Sequence, residues 1–370
     1  MTFASAVQDQ VHMSRALQLA ARGLYTTDPN PRVGCVLVKD GSVVGEGWHV
    51  RAGEAHAEVL ALRAAGVAAR GASAYVTLEP CSHTGRTPPC ADALIDAGVA
   101  RVFCASADPN PIVGGTGIAR LRAAGIEVSV GALAGAAREL NVGFFSRFER
   151  SRPFVRLKLA MSLDGRTAPA GGGHAWISGE AARADVQHWR ARSSAVLTGA
   201  GTVCSDDPRL DVRIDYGGWV RQPLRVVLDP GLRCARAAKI FQAHGALVFA
   251  APDSAVRDGG VRDGDGVRVQ RVGRDGSGVD LHAVMAALQA QSVNELLVEC
   301  GPRLAASFLR AGLVDELILY VAAHMLGADA QPLTALRALG EGGIAPAFDF
   351  HDVRRVGADL RLLLKPRSGQ

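Results

Sequence analysis

Two stretches decide how this chain is read: His56-Ala57-Glu58, and the loop Glu79-Pro80-Cys81-Ser82-His83-Thr84-Gly85-Arg86-Thr87-Pro88-Pro89-Cys90. The second lies between an apolar strand signal at Ala74 to Leu78 and a helical one at Pro89 to Ala97, so the loop joins a strand to a helix. His56, Cys81 and Cys90 offer one imidazole and two thiolates. That set suits a tetrahedral Zn²⁺ with one open position, the pattern of a catalytic rather than a structural site. Glu58, two residues after His56 at a helix start, can face the cavity without ligating, as a general acid/base must. His83 is open to three readings: a substitute ligand, a substrate contact, or an exposed imidazole. Cys35, Cys104 and Cys300 stand in apolar strand contexts and are expected to be buried, inert thiols.

Around this core the first half alternates helix and strand signals. A helix is expected from the spacing of Val7, Val11, Ala16, Leu17 and Ala20, with Gly23 as its stop. Val33 to Val38 and Val43 to Trp48 flank Asp40-Gly41, a hairpin signal. A helix from His56 to Ala69, a strand at Arg101 to Ala105, a helix near Gly117 to Ala124, a strand at Ile126 to Val130 and one helix from Ala134 to Phe148 follow. Glu149-Arg150-Ser151-Arg152-Pro153 is charged and proline-terminated, as a linker is. The expected division is therefore residues 1–148, a linker over 149–153, and 154–370. The second half repeats the α/β pattern, with strands beginning at Phe154, Ala195, Leu224, Ala246, Val267, Glu295 and Glu316. Helices are expected at Glu180 to Arg192, Leu281 to Gln291 and Pro302 to Ala311, and an exposed loop around a short strand within Pro252 to Gly278.

Composition bounds the function classes. At 370 residues, 48% hydrophobic and 21% charged, the chain is globular and large enough for two domains. Its longest apolar run, Leu317 to Leu326, is too short to span a bilayer, and the N-terminus has no secretory pattern. Seven cysteines form no disulfide framework, so a cytoplasmic protein is expected. The net charge of +5 rests on dispersed arginines, without the basic runs of nucleic-acid binders. Guanidinium forks suit phosphorylated metabolites instead. Two glycine clusters follow strands in the second half, Thr198-Gly199-Ala200-Gly201-Thr202 and Glu299-Cys300-Gly301-Pro302-Arg303-Leu304, but neither is a Rossmann fingerprint.

An H-x-E motif with paired cysteines marks zinc nucleobase deaminases, yet eight residues separate these cysteines where two are usual. The Glu79 to Cys90 stretch, with Asn30-Pro31-Arg32-Val33-Gly34 and His56-Ala57-Glu58-Val59, resembles the deaminase half of bifunctional riboflavin-biosynthesis deaminase-reductases. Lys158 to Thr167, Trp176-Ile177-Ser178, Asp206 to Leu210 and Val298 to Pro302 resemble its reductase half. The resemblance implies a cytidine-deaminase-like domain followed by a dihydrofolate-reductase-like domain, using zinc and NADPH. It implies deamination of 2,5-diamino-6-(5-phospho-ribosylamino)pyrimidin-4(3H)-one and then reduction of the ribosyl group to ribityl.

Carried onto this sequence, it implies that Ala160, Trp176, Thr202, Asp206 and the turn Gly301, Pro302, Arg303, Leu304, Ala305, Ala306, Ser307 line the NADPH site. His174, Arg190, Leu210, Arg213 and Glu299 would line the substrate site. Lys158, Asp206 and Glu299 are the expected catalytic groups of the reductase, and Arg190 or Arg213 the phosphate clamp. Pro230 and His174 stand where that family commonly has serine, which reads as contact variation. A homo-oligomer is expected, with small-molecule substrates and neither nucleic acid nor membrane as partner. Two rivals are a nucleic-acid deaminase and a deaminase whose second domain is an inactive dimerisation scaffold.

Overall fold

The computed structural model describes residues 3–83, 88–170, 177–242, 245–264, 266–336 and 346–367. They divide into two compact units, Met1–Ser151 and Arg152–Gln370.

In the first unit, β1 (Gly34–Lys39) and β2 (Ser42–Trp48) form the expected hairpin, with Asp40 and Gly41 at φ 50° and 77° as a two-residue turn of mirror-image type requires. β3 (Ser73–Val76), β4 (Arg101–Cys104) and β5 (Glu127–Val130) complete a five-stranded sheet ordered β2-β1-β3-β4-β5. β1 is covered on both faces, which is why it is apolar throughout. Cys35 and Leu37 pack with Ala57 and Ala61 of α2 (Ala57–Ala65), Leu94 of α3 (Cys90–Asp96) and Leu121 of α4 (Thr116–Ala123). Val36 and Val38 pack with Met13, Ala16 and Leu19 of α1 (Phe3–Ala21). Gly47 lets α2 lie flat on β2, because a Cβ there would sit 2.4 Å from the Ala57 carbonyl oxygen. This close approach sets the height of His56 and Glu58 above the sheet.

The single helix expected from Ala134 to Phe148 is instead two, α5 (Ala134–Leu140) and α6 (Val142–Glu149). Asn141 interrupts them because its side chain pairs with backbone elsewhere: Oδ1 accepts the Arg32 N–H at 2.8 Å and Nδ2 donates to the Arg32 carbonyl at 2.9 Å. α6 also runs to Glu149, whose carboxylate takes both terminal nitrogens of Arg138.

The second unit is built on a nine-stranded sheet ordered β11-β10-β9-β8-β14-β6-β15-β18-β17. Its parallel part comprises β6 (Phe154–Ser162), β8 (Ala195–Gly199), β9 (Leu224–Leu228), β10 (Ala246–Ala250), β11 (Val267–Arg271), β14 (Glu295–Glu299) and β15 (Glu316–Ala322). α9 (Leu281–Ala290) and α10 (Pro302–Arg310) cover one face through Val284, Met285, Leu288 and Phe308; α7 (Glu180–Arg192) covers the other through Ala182, Val186 and Trp189.

Three pieces go beyond the sequence expectation. The first glycine cluster opens a short helix, α8 (Ala200–Asp206). Minor ladders form from β7 (Arg166–Ala168) with β16 (Gln331–Pro332), and from β12 (Arg274–Asp275) with β13 (Gly278–Val279). An antiparallel hairpin of β17 (Phe348–Val356) and β18 (Asp359–Pro366) closes one edge of the large sheet.

Candidate active sites

In the first unit the chain brings His56, Cys81 and Cys90 together. His56 is the N-cap of α2, Cys90 is the first residue of α3, and Cys81 lies in the loop after β3. His56 Nδ1 is 3.3 Å from Cys90 Sγ and 3.6 Å from Cys81 Sγ, and all three ligand atoms lie within 4.8 Å of one another. Metal–nitrogen and metal–sulfur bonds of about 2.0–2.1 and 2.3 Å at a tetrahedral angle place such atoms about 3.6 Å apart, so the donor set fits zinc. Among the described residues this is the one group of three His, Cys, Asp or Glu side chains close enough to share an ion.

The backbone prepares the thiols. Cys81 Sγ accepts the N–H of Cys90 at 3.3 Å at the start of α3. Its thiol is pulled down to about 4, first by hydrogen bonding from Cys90, against burial, and further by His56. Cys90 is pushed up, chiefly by sharing its proton with Cys81 and then by burial, so Cys81 is the first of the pair to ionise. Glu58 is 3% exposed beside them, and burial pushes its carboxyl up to about 7 while His56 opposes. His83 is exposed. Thr84, Gly85, Arg86 and Thr87 lie outside the described residues.

Sequence reasoning passed over three neighbours of this triad. His49 sits edge-on to His56 at 5.2 Å, its ring held by Asn30 Nδ2 at 3.1 Å and the Ala55 carbonyl at 3.2 Å. Glu79, just before Pro80-Cys81, accepts the N–H groups of Asp108, Gly115, Gly117 and Ile118, which locks the ligand loop to the start of α4. Asp108 is pushed up to about 6 by burial. Glu79 and the His49 partner Asn30 stand in quoted motifs but were given no role there, and nothing in the sequence marked His49 or Asp108.

In the second unit the C-terminal ends of neighbouring parallel strands gather the other residues, the usual place for a ligand crevice in such sheets. Lys158 on β6 stands in register with Glu299 on β14. Glu299 takes Arg190 of α7 in a two-point ion pair, Nε–Oε1 2.6 Å and Nη2–Oε2 3.0 Å, and Arg190 Nη1 donates to the Asp211 carbonyl at 3.3 Å. Both side chains are nearly buried, at 11% and 12% exposure. Burial raises Glu299, but the charge and hydrogen bonds of Arg190 outweigh it and hold the carboxyl below the usual range. Burial lowers Lys158, with Glu299 opposing.

The two glycine turns abut: a Cβ on Gly301 would lie 4.0 Å from Thr202 Oγ1, and one on Gly199 3.2 Å from Leu304 Cδ2. Gly301 caps α10 with no side-chain acceptor on the first amides, and Pro302 opens the helix, leaving N–H groups for an anion. Ala160 lies on β6; Arg303, Leu304, Ala305, Ala306 and Ser307 lie on α10. Asp206, at the exposed end of α8, accepts the Ser205 hydroxyl. Leu210 is buried, and Arg213 is half-exposed, with Asp211 at 2.6 Å. His174 and Trp176 lie outside the described residues. Cys35 and Cys104 are buried and Cys300 partly so.

Residues 153–362 match the family described as RibD C-terminal domain, and residues 6–106 the cytidine and deoxycytidylate deaminase zinc-binding region. The chain is 49% identical to the riboflavin biosynthesis protein RibD of Escherichia coli (strain K12), over 97% of this chain and 99% of that one. The chain belongs to the RibD family. Solved RibD structures match nearly the full length of the chain: that of Acinetobacter baumannii gives a TM-score of 0.89 at 44% identity, covering 98% of this chain and 100% of that one. A Thermotoga maritima diaminohydroxyphosphoribosylaminopyrimidine deaminase/5-amino-6-(5-phosphoribosylamino)uracil reductase gives a TM-score of 0.85 at 31% identity, covering 98% and 100%. Membership makes this a bifunctional zinc-dependent deaminase and NADPH-dependent reductase of riboflavin biosynthesis.

Proposed function

We propose that His56, Cys81 and Cys90 hold the zinc and that Glu58 moves the proton in deamination of 2,5-diamino-6-(5-phospho-ribosylamino)pyrimidin-4(3H)-one. When bound, zinc supplies the Lewis acidity that makes water a nucleophile near neutral pH. Glu58, buried with its carboxyl near 7, exchanges a proton readily at that pH: it takes one from the attacking water and returns it to the departing ammonia. The observation that carries this reading is the 3.3 and 3.6 Å ligand spacing with a buried, non-ligating carboxyl two residues from the histidine.

We assign the second reaction to the crevice lined by Lys158, Glu299, Asp206 and the turn from Gly301 to Ser307. NADPH supplies a hydride there, to C1′ of the ribosyl group. The amides opening α10 suit a cofactor phosphate, Thr202 lies against Gly301, Ala160 follows Lys158 by two residues on β6, and Lys158, held beside Glu299, is placed to deliver the balancing proton. Three of the five N–H groups of Arg190 are engaged by Glu299 and the Asp211 carbonyl, so we assign reading of the 5′-phosphate to Arg213 and the positioning of Glu299 to Arg190. The buried Lys158–Glu299–Arg190 cluster speaks against an inactive second domain.

Arg152, Arg156 and Arg361 are committed to internal ion pairs and are not part of a surface for nucleic acid. We place the protein in the cytoplasm, where its seven free thiols would persist, and expect a homo-oligomer. Among the described residues no helix is long and apolar enough to cross a membrane. Incubation with the diaminopyrimidine tests the whole: ammonia release without NADPH, then NADPH oxidation only after deamination. Ammonia release that requires NADPH would overturn the order.

A further inference from the structure

One aromatic side chain outside the assigned residues faces Lys158, the proton donor of the reductase reading. β6 and β15 run parallel in register, with Ile318 opposite Lys158 and Tyr320 opposite Ala160. Side chains alternate along a strand, so Lys158 and Ala160 share the face on which Ile318 and Tyr320 pack with Ala182, Val186 and Trp189 of α7. Tyr320 therefore stands diagonally from Lys158, and the small Ala160 leaves its ring room. The Lys158 ammonium lies over that ring, 5.7 Å from its centre and inside the range of a cation–π contact. Tyr320 is 1% exposed, which keeps the ring out of bulk water.

The ring is fixed from behind. Its hydroxyl donates to Asp185 Oδ2 of α7 at 2.5 Å; Arg361 of β18 donates from Nη1 to both Asp185 oxygens, at 3.0 and 2.9 Å, and from Nη2 to Asp352 of β17 at 3.2 Å. Burial, and then the bond to Asp185, push the phenol up, so it stays a neutral donor. Glu299 of β14 stands in register with Lys158, but both its oxygens are engaged by Arg190 of α7. Burial disfavours the charged amine, Glu299 favours it, the Arg190 guanidinium disfavours it and the Cys300 thiol after β14 favours it.

We propose that Tyr320 is a positioning residue of the reductase, its ring face holding the Lys158 ammonium charged and in place. An aromatic ring carries negative charge density on its faces, so it attracts an ammonium yet cannot take its proton, as a carboxylate could. With Glu299 committed to Arg190, the ring offsets part of the cost of keeping a cation beside a guanidinium in a half-buried crevice. Lys158 thus retains the balancing proton until hydride is transferred. The inference rests on the assignment of Lys158 as proton donor and deepens it.

The test follows kcat against pH in the full chain loaded with zinc, given NADPH and supplied deaminated intermediate. A proton donor must be charged to act, so kcat falls as the pH rises through the Lys158 value. Tyr320→Phe and Tyr320→pentafluorophenylalanine lose the bond to Asp185 alike and differ in the ring face, whose charge density fluorination reverses. Relative to Tyr320→Phe, the fluorinated ring should move the alkaline limb down by about half to one and a half pH units, the worth of a cation–π contact, while the KM for NADPH holds. Tyr320→monofluorophenylalanine, which adds least volume, should fall between them, a graded order that misfolding does not produce. An unmoved limb, whether or not KM rises, overturns the role of the ring. Lys158→Gln separates that failure from failure of the underlying reading: the limb and most of the rate should be lost, and a parental limb in Lys158→Gln overturns the assignment of Lys158 itself.

Discussion

Arg190→Ala is the substitution that most sharply separates the two roles an arginine could have in the reductase. In the native chain, Arg190 and Glu299 face each other through two hydrogen bonds at 11% and 12% exposure, with Lys158 in register beside Glu299. Removing one partner of a buried pair leaves an uncompensated charge and costs about 3–5 kcal/mol. For a unit of this size, at about 2–4 °C per kcal/mol, the unfolding midpoint should fall by roughly 6–20 °C. Arg190→Lys should recover only part of it, because a point charge cannot reproduce the planar fork.

Acid should imitate the mutation. Glu299 is held below the ordinary carboxyl value of 4.5, so the pair's stabilisation is complete above that pH and is lost as the pH falls through the lower native value. The kinetic arm compares the deaminated intermediate with its dephosphorylated form. Arg190→Ala should lower kcat yet still discriminate between them. Arg213→Ala should keep its midpoint and lose about ten- to hundredfold of the discrimination, the worth of a charge-assisted contact of about 1.5–3 kcal/mol. An Arg190→Ala protein that melts within about 2 °C of the parent and no longer distinguishes the two substrates would refute the positioning role.

Three further outcomes follow from the first unit. Glu58→Gln should keep close to one zinc per chain by metal analysis and lose ammonia release, whereas Cys90→Ser should lose both; zinc loss in Glu58→Gln would contradict the division of roles. In zinc-free protein, Glu58 is raised from the ordinary 4.5 to about 7, so its contribution to stability is fully present below 4.5 and is lost as the pH rises through 7; Glu58→Gln should flatten that part of a thermal-melt series. Residues 1–151 alone should deaminate without NADPH and melt higher than residues 1–148, because the shorter piece lacks Glu149 and its ion pair with Arg138; equal melts would show the pair to be idle.

The grouping of His56, Cys81 and Cys90 was legible because residue type and order suffice for it: a histidine at a helix start and two thiols around a loop have few other uses. The hairpin at Asp40-Gly41 was legible because two positive φ angles restrict the turn to few residues. What escaped depended on partners far along the chain. The helical period runs unbroken past Leu140, and only Arg32, 109 residues away, explains why Asn141 stops it. Arg190 and Glu299 could each be assigned to the substrate, but no local pattern records that they bind each other. β17 escaped for a different reason: it lies at the sheet's edge with Phe350 and Val353 exposed among charges, so it lacks the alternation a half-buried strand shows.

The position of β14 governs the order in which the protein can be made. Its neighbours in the sheet are β6 and β8, yet its residues leave the ribosome about a hundred positions after those of β8. At about 5–20 residues per second, β6 and β8 wait on the order of 5–20 s with the lane between them unfilled. The unit ending at Ser151, whose five strands all lie before that residue, is fully synthesised by then. Nascent chains halted just before Glu295 should therefore carry a protease-resistant first unit and a digestible remainder. Exposed β-strand edges during that interval make the second half the natural client of holding chaperones, even though the finished sheet has its centre sealed.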